Sequence, residues 1–142
     1  MTPGAIASIA RDHYRTAITT ASGHALIADE PPDMGGTGRG PDPFELLLSA
    51  LSACMVITVR MYADRKGWPL GSARCSLSRR MVEPAARPNS GPALQIDGVL
   101  HLEGGLSEEQ RQRLADVASR CPVHRALTRG AQVALSLDPA TG

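Results

Sequence analysis

The chain has 142 residues, of which 42% are apolar and 20% charged, so it is predicted to fold as one domain over residues 1–142 rather than to be disordered. Its 15 basic and 14 acidic residues leave a net charge of +1, which argues against a basic surface that binds nucleic acid. Aromatic residues make up only 3%, so the core is expected to consist of aliphatic side chains.

The N-terminal third of the sequence predicts a β-hairpin followed by a loop. Residues 1–10 carry no clear pattern and are expected to be irregular. Residues 11–29 alternate around Ser22 and Gly23, as the two strands of a hairpin do. Residues 30–43 contain four Pro and four Gly, a density that neither helices nor sheets tolerate, so this segment is predicted to be a loop.

A long apolar helix is predicted from about Phe44 to Lys66. Asp42 is a suitable N-cap for this helix, Pro43 is favoured in its first turn, and Gly67 is expected to end it. The helix is apolar on nearly every side, so we expect it to be fully buried at the centre of the core. Its uncharged run is shorter than the ~18–20 residues that span a bilayer, and the N-terminus has no apolar signal segment. The protein is therefore expected to be cytoplasmic, without a membrane partner.

The second half of the chain predicts both strands and helices. These elements are strands at 72–82 and 93–103, a helix that begins after Ser107, a short helix that begins after Cys121, and a last strand at Gln132–Leu137. Ser107 and Gln110 have the spacing of a capping box, and Gly98 suggests a bulge. The order ββ–α–ββ–α–α–β is typical of an α+β domain with antiparallel sheets.

The three cysteines are the candidate reactive residues of the sequence. An odd number of cysteines without a signal peptide argues against a secreted disulfide framework, so each is either a buried apolar residue or a reactive thiol. Cys54 lies within the long apolar helix, and both interpretations remain open for it. Cys121 precedes Pro122 and is predicted to cap a helix, a position that favours the thiolate, and His124 is close enough to add a charge or move a proton. Cys75 has no flanking signature and is interpreted as structural.

A metal site is a remote alternative for these residues. Cys121 and His124 form a C-x-x-H spacing, but no second pair accompanies them, and adding Cys75 to complete a zinc site would require unusual geometry. We therefore expect neither a metal nor another cofactor.

Two segments together resemble the OsmC/Ohr family of osmotically induced and organic hydroperoxide resistance proteins. They are GGTGRGPDPFELLLSALSACMVITVRMYA and, further along, CPVHRAL. The resemblance implies an OsmC-like α+β fold, with antiparallel sheets around long central helices, in an intertwined homodimer. It also implies a peroxidase in which Cys54 attacks the hydroperoxide and Cys121 resolves the sulfenic acid as a disulfide. A lipoyl protein or a small thiol would be the reductant.

The sequence departs from this family at two supporting positions. The family's arginine in the first hairpin corresponds to His24, and its glutamate before the central helix corresponds to Phe44. Glu45 is the nearest carboxylate, and His24, Arg39 and Arg15 are the candidate cations that would stabilise a Cys54 thiolate.

Two functions follow from these observations. The first is a thiol-dependent peroxidase that reduces organic or inorganic hydroperoxides through Cys54 and Cys121. The alternative is a non-catalytic dimer of the same fold that binds a small hydrophobic ligand. The missing arginine favours the alternative, and the presence of both cysteines favours the peroxidase.

Overall fold

A computed structural model of the chain describes residues 4–85, 89 and 91–139. They form two compact units, divided between Ala50 and Leu51. The elements in order are β1 (Ala5–Ile9), β2 (Thr16–Thr20), β3 (Ala25–Ala28), α1 (Pro43–Lys66), β4 (Leu70–Val82), β5 (Ala93–Gly104), α2 (Glu108–Ala118) and α3 (Pro122–Arg129), with a short 3-10 turn at Pro32–Met34. The chain is thus a mixture of helices and antiparallel sheets, as the sequence predicted.

The first unit contains a three-stranded antiparallel sheet in the order β1-β2-β3. The predicted hairpin is confirmed, because Thr16 pairs with Ala28 and the turn contains Gly23 at a φ of 88°. The expectation that residues 1–10 are irregular is wrong for Ala5–Ile9, which pair along β2, while residues 1–3 lie outside the described part of the chain. An edge strand of this kind is fixed by its backbone partner, and a single short segment gives little sign of that.

The glycine-rich loop of the first unit folds around one buried carboxylate. Asp29 is only 2% exposed, and its oxygens accept the backbone N–H groups of Glu30, Thr37 and Arg39 and the hydroxyl of Thr37. These bonds favour the charged form, and the Thr37 hydroxyl contributes most to lowering the pKa of Asp29 to about 2. Gly36 is required beside this carboxylate, since a Cβ there would collide with the Glu30 carbonyl. The loop predicted at residues 30–43 is therefore an ordered one.

The predicted ends of α1 are confirmed. Glu45 donates its backbone N–H to the Asp42 carboxylate at 2.9 Å, and Asp42 donates its own N–H to the Glu45 carboxylate at 3.0 Å, which is a reciprocal cap. The helix ends before Gly67, which has a φ of 68°.

The prediction that α1 is fully buried is wrong for the single chain. Its buried residues are Leu51, Val59 and Ala63, whereas Ala53, Ile57 and Met61 recur at four-residue spacing and are exposed. One side of the helix therefore packs on the core and another is left uncovered. Among the described residues α1 alone is long and apolar enough to cross a membrane, which is weak evidence because core helices of soluble proteins pass the same test.

The second unit contains the long antiparallel pair β4–β5, and both predicted strands are confirmed. The bulge expected near Gly98 is wrong, because Gly98 pairs in register with Leu77 and the irregularity lies between Leu70 and Ser72. A Cβ at Gly98 would meet the end of the Leu77 side chain, which would have to shift to make room. The capping box of α2 is also confirmed, with Ser107 and Gln110 each accepting the other's backbone N–H. The buried core is formed by Val59, Ala63, Leu70, Leu102, Leu114 and Ala118.

The last predicted strand is not formed in the single chain. Residues 131–139 have no regular secondary structure, so the strand expected at Gln132–Leu137 is wrong as the chain stands. Val133, Leu135 and Leu137 are 89%, 98% and 95% exposed. Their alternation is that of a strand, but within the described residues this segment has no strand to pair with.

Candidate functional site

Two of the three cysteines meet where α3 begins. Cys54 lies on α1 and is half-buried, whereas Cys121 is the N-cap of α3 and is fully buried at 0% exposure. Pro122 occupies the first turn of α3, so the predicted cap at Cys121 is confirmed. All three cysteines are free thiols.

The first turn of α3 directs its backbone N–H groups at both sulfurs. The His124 N–H donates to Cys121 Sγ at 3.4 Å, and the Val123 N–H donates to Cys54 Sγ at 3.5 Å. Cys54 also lies close enough to Cys121 to raise the pKa of that thiol. A donor directed at sulfur stabilises a thiolate, and one turn of α3 donates to both cysteines.

Capping acts on Cys121 in the expected direction, but it does not decide the ionisation of this thiol. Burial raises the pKa of Cys121 and outweighs the N–H bond from His124, which lowers it, while the neighbouring Cys54 raises it further. Cys121 therefore stays a protonated thiol at neutral pH. The half-buried Cys54 is the sulfur that a reagent in solution reaches first.

A cavity of about 430 Å³ lies in the second unit, against α1, which carries Cys54, and α3, which Cys121 caps. It is lined by Leu51 and Met55 of α1, by apolar residues of β4 and β5, and by His124, Leu127 and Thr128 of α3. Sequence analysis missed this cavity, because its walls come from four elements whose packing no local pattern reveals.

The third thiol also lines this cavity. Cys75 donates to Met55 Sδ at 3.7 Å, and burial raises the pKa of Cys75. A protonated thiol facing a thioether is a poor nucleophile. Cys75 accordingly contributes an apolar wall, in line with its interpretation as structural.

The remaining predicted site residues lie in the first unit. The His24 ring contacts Ser22 Oγ through Nδ1 at 2.9 Å, and the Glu45 carboxylate serves the cap of α1. Arg39 and Arg15 are held through their backbone N–H groups, by Asp29 Oδ2 and by the Asp12 carbonyl respectively. The structure thus brings Cys54, Cys121 and His124 together in the second unit. The other four predicted residues each make hydrogen bonds to neighbours within the first unit.

Within residues 4–85, 89 and 91–139, no three His, Cys, Asp or Glu side chains form a group that could hold a metal ion.

Comparisons with known proteins place this chain in a family. A family model described as OsmC-like protein matches residues 36–136. Among solved structures, the chain resembles an OsmC-like protein from Mycoplasma pneumoniae, with a TM-score of 0.72, 20% identity, and coverage of 90% of this chain and 88% of that one. It also resembles the organic hydroperoxide resistance protein OsmC of Legionella pneumophila (TM-score 0.67, 22% identity, 89% of each chain). A third match is the organic hydroperoxide resistance protein OhrB of Bacillus subtilis (TM-score 0.62, 21% identity, 92% of each chain). No curated protein matches the chain.

Proposed function

The chain belongs to the OsmC-like protein family, and we propose that it is a thiol-dependent peroxidase that reduces organic or inorganic hydroperoxides through Cys54 and Cys121. The observation that carries this proposal is that the first turn of α3 donates its backbone N–H groups to the sulfurs of both Cys54 and Cys121. The hydroperoxide resistance activity in the names of two structural neighbours supports the same reaction class.

In the first step, the Cys54 thiolate attacks the terminal oxygen of the hydroperoxide. The S–O bond forms as the O–O bond breaks, so that sulfur is oxidised to a sulfenic acid and the hydroperoxide is reduced. The leaving alkoxide takes up a proton and departs as an alcohol, or as water when the substrate is hydrogen peroxide. The Val123 N–H, directed at Cys54 Sγ, stabilises the thiolate that begins this step.

In the second step, Cys121 resolves the sulfenic acid. Its sulfur attacks Cys54 Sγ, a disulfide forms, and the hydroxyl of the sulfenic acid leaves as water with the proton of Cys121. Cys121 is buried and its pKa is raised, which suits a resolving thiol that reacts only after Cys54 has been oxidised. An external reductant, either a lipoyl-type dithiol or a small thiol, then reduces the disulfide by thiol–disulfide exchange.

Residues of the first unit are proposed to support the thiolate. His24 takes the position of the family's arginine, with Arg39 and Arg15 as further candidate cations and Glu45 as the nearest carboxylate. Since an imidazole is a weaker and titratable cation than a guanidinium, we expect slower peroxide reduction than an arginine would give.

The working form is proposed to be an intertwined homodimer in which each chain is one OsmC-like domain, and the cytoplasm is its proposed location. Two uncovered apolar surfaces of the single chain support a dimer. They are the stripe of Ala53, Ile57 and Met61 on α1 and the alternating side chains of residues 133–137. A second copy that packed on the stripe and paired with the C-terminal segment would bury both.

A second candidate function is the binding of a small hydrophobic ligand without catalysis. The observation that favours it is the cavity of about 430 Å³ lined by α1, β4, β5 and α3, which falls within the size range of ligand pockets. Only the peroxidase consumes hydroperoxide catalytically. Substitution of Cys54 or Cys121 should therefore abolish an activity in the first candidate and not in the second.

The test is consumption of cumene hydroperoxide with dihydrolipoamide as reductant. We expect turnover by the wild type and by the matched control Cys75→Ser, and none by Cys54→Ser. Cys121→Ser is expected to consume one equivalent and then stop, with Cys54 trapped as a sulfenic acid or oxidised further. Full turnover by Cys54→Ser would refute the proposed mechanism, and no turnover by the wild type would leave the ligand-binding function.

A further inference from the structure

His124 adjoins both cysteines and the cavity of the second unit. Its backbone N–H donates to Cys121 Sγ at 3.4 Å, and the N–H of the preceding residue, Val123, donates to Cys54 Sγ at 3.5 Å. His124 is half-buried and is also a lining residue of the cavity of about 430 Å³. Its backbone therefore stands next to both sulfurs, while its side chain is available to a molecule that occupies the cavity.

The α1 wall of the cavity adjoins Cys54. Leu51 and Met55 line the cavity, and Leu51 precedes Cys54 by three residues, a spacing at which side chains are neighbours on a helix surface. The inference below rests on the proposed function in one respect, which is that a hydroperoxide reacts at Cys54. When its terminal oxygen lies at Cys54 Sγ and its organic group lies among the apolar side chains of the cavity, its inner oxygen lies between them, beside the first turn of α3.

The inner oxygen needs a proton when the O–O bond breaks. A bare alkoxide among apolar side chains is costly, because an ionised group loses its hydration there. Among the described residues that line the cavity, only Cys75 and His124 have side chains that ionise. The Cys75 thiol donates to Met55 Sδ, and burial raises the pKa of Cys75, which makes it a poor acid. An imidazole, in contrast, gains and loses a proton near neutral pH.

We propose that the protonated imidazole of His124 is the general acid that protonates the leaving oxygen of the hydroperoxide. The Cys54 thiolate forms the S–O bond to the terminal oxygen as the O–O bond breaks, and the electron pair of the broken bond passes to the inner oxygen. This oxygen takes the proton of the His124 ring and departs as an alcohol. The ring is left neutral and regains a proton from solvent water, which the half-buried position of His124 admits.

The test compares two oxidants of similar size that differ in their leaving groups. Cumene hydroperoxide releases an alkoxide, which needs the proton, whereas perbenzoic acid releases a carboxylate, which is stable as an anion at neutral pH. The rate of Cys54 oxidation by each oxidant is measured on the full-length protein by rapid quenching and peptide mass mapping. His124→Gln keeps the backbone N–H groups that are directed at the sulfurs and removes the acid. Thr128→Val, which alters another polar residue of the cavity wall, is the matched control.

We expect His124→Gln to lower the rate with cumene hydroperoxide about a hundredfold, the lower end of what a general acid contributes, and to change the rate with perbenzoic acid less than about threefold. Thr128→Val should leave the ratio of the two rates as it is in the wild type. If His124→Gln slows both oxidants alike or neither of them, or if Thr128→Val shifts the ratio equally, the inference is overturned and the proposed peroxidase stands. If cumene hydroperoxide does not oxidise Cys54 of the wild type, the proposed function and the inference are both refuted.

Discussion

Oxidation of the cysteine pair should stabilise the protein strongly against denaturant. Cys54 and Cys121 are 67 residues apart in the chain, so a disulfide between them closes a long loop in the unfolded state. The loss of chain entropy for a loop of this length corresponds to about 4 kcal/mol in the free energy of unfolding at 25 °C. Because the first turn of α3 donates to both sulfurs in the folded state, we expect little of this gain to be lost to distortion. The assay is urea unfolding of oxidised and reduced protein at one fixed protein concentration, since a dimer's stability depends on it.

Two variants control this comparison. Cys75→Ser should show the same difference between oxidised and reduced protein, and Cys121→Ser should show none. A wild-type difference below about 1 kcal/mol, far short of the chain-entropy value, would refute the reasoning that the folded chain holds the pair ready to bond.

Three further predictions follow from the structure. The depressed pKa of Asp29 contributes stability that is present above its ordinary value of 3.8 and is lost as pH falls towards about 2, so Asp29→Asn should flatten this part of the pH profile measured by urea unfolding. Leu114→Ala should cost about 3 kcal/mol in the same assay, because Leu114 is fully buried, whereas the exposed Leu26→Ala should cost less than about 1 kcal/mol. Ile57→Glu should convert a dimer into monomer by light scattering, and an unchanged mass would rule the α1 stripe out of the interface.

Local chemistry made much of the fold predictable. Asp42 and Gly67 mark the two ends of α1 in the sequence and in the structure alike, because caps act through neighbouring backbone groups. Ser107 and Gln110 marked the start of α2 for the same reason. Alternation identified β4 and β5, because one face of the pair packs on the core.

The errors concern segments whose environment lies elsewhere in the molecule. Whether α1 is covered depends on which surfaces meet it, and apolar composition does not report that. The segment of residues 132–137 has the pattern of a strand and lacks a partner within its own chain. Gly98 indicated a bulge by residue type, although it pairs in register with Leu77.

The two cysteine motifs of the site could be predicted from the sequence, but the packing of the side chains around them could not. Pro122 identified Cys121 as a helix cap, and the structure confirms it. The balance between burial and the His124 N–H, which sets the pKa of Cys121, depends on packing that sequence does not show. The same holds for the cavity, where Cys75 and Met55 meet across two elements.

The most direct test of the central claim is the fate of the thiols after one equivalent of cumene hydroperoxide. Pre-reduced protein is quenched within seconds, its free thiols are counted, and its disulfide is located by peptide mass mapping. The account predicts the loss of two thiols and one linkage, Cys54–Cys121, with Cys75 still reduced. Thiols that remain intact over many minutes, or a linkage that includes Cys75, would contradict it.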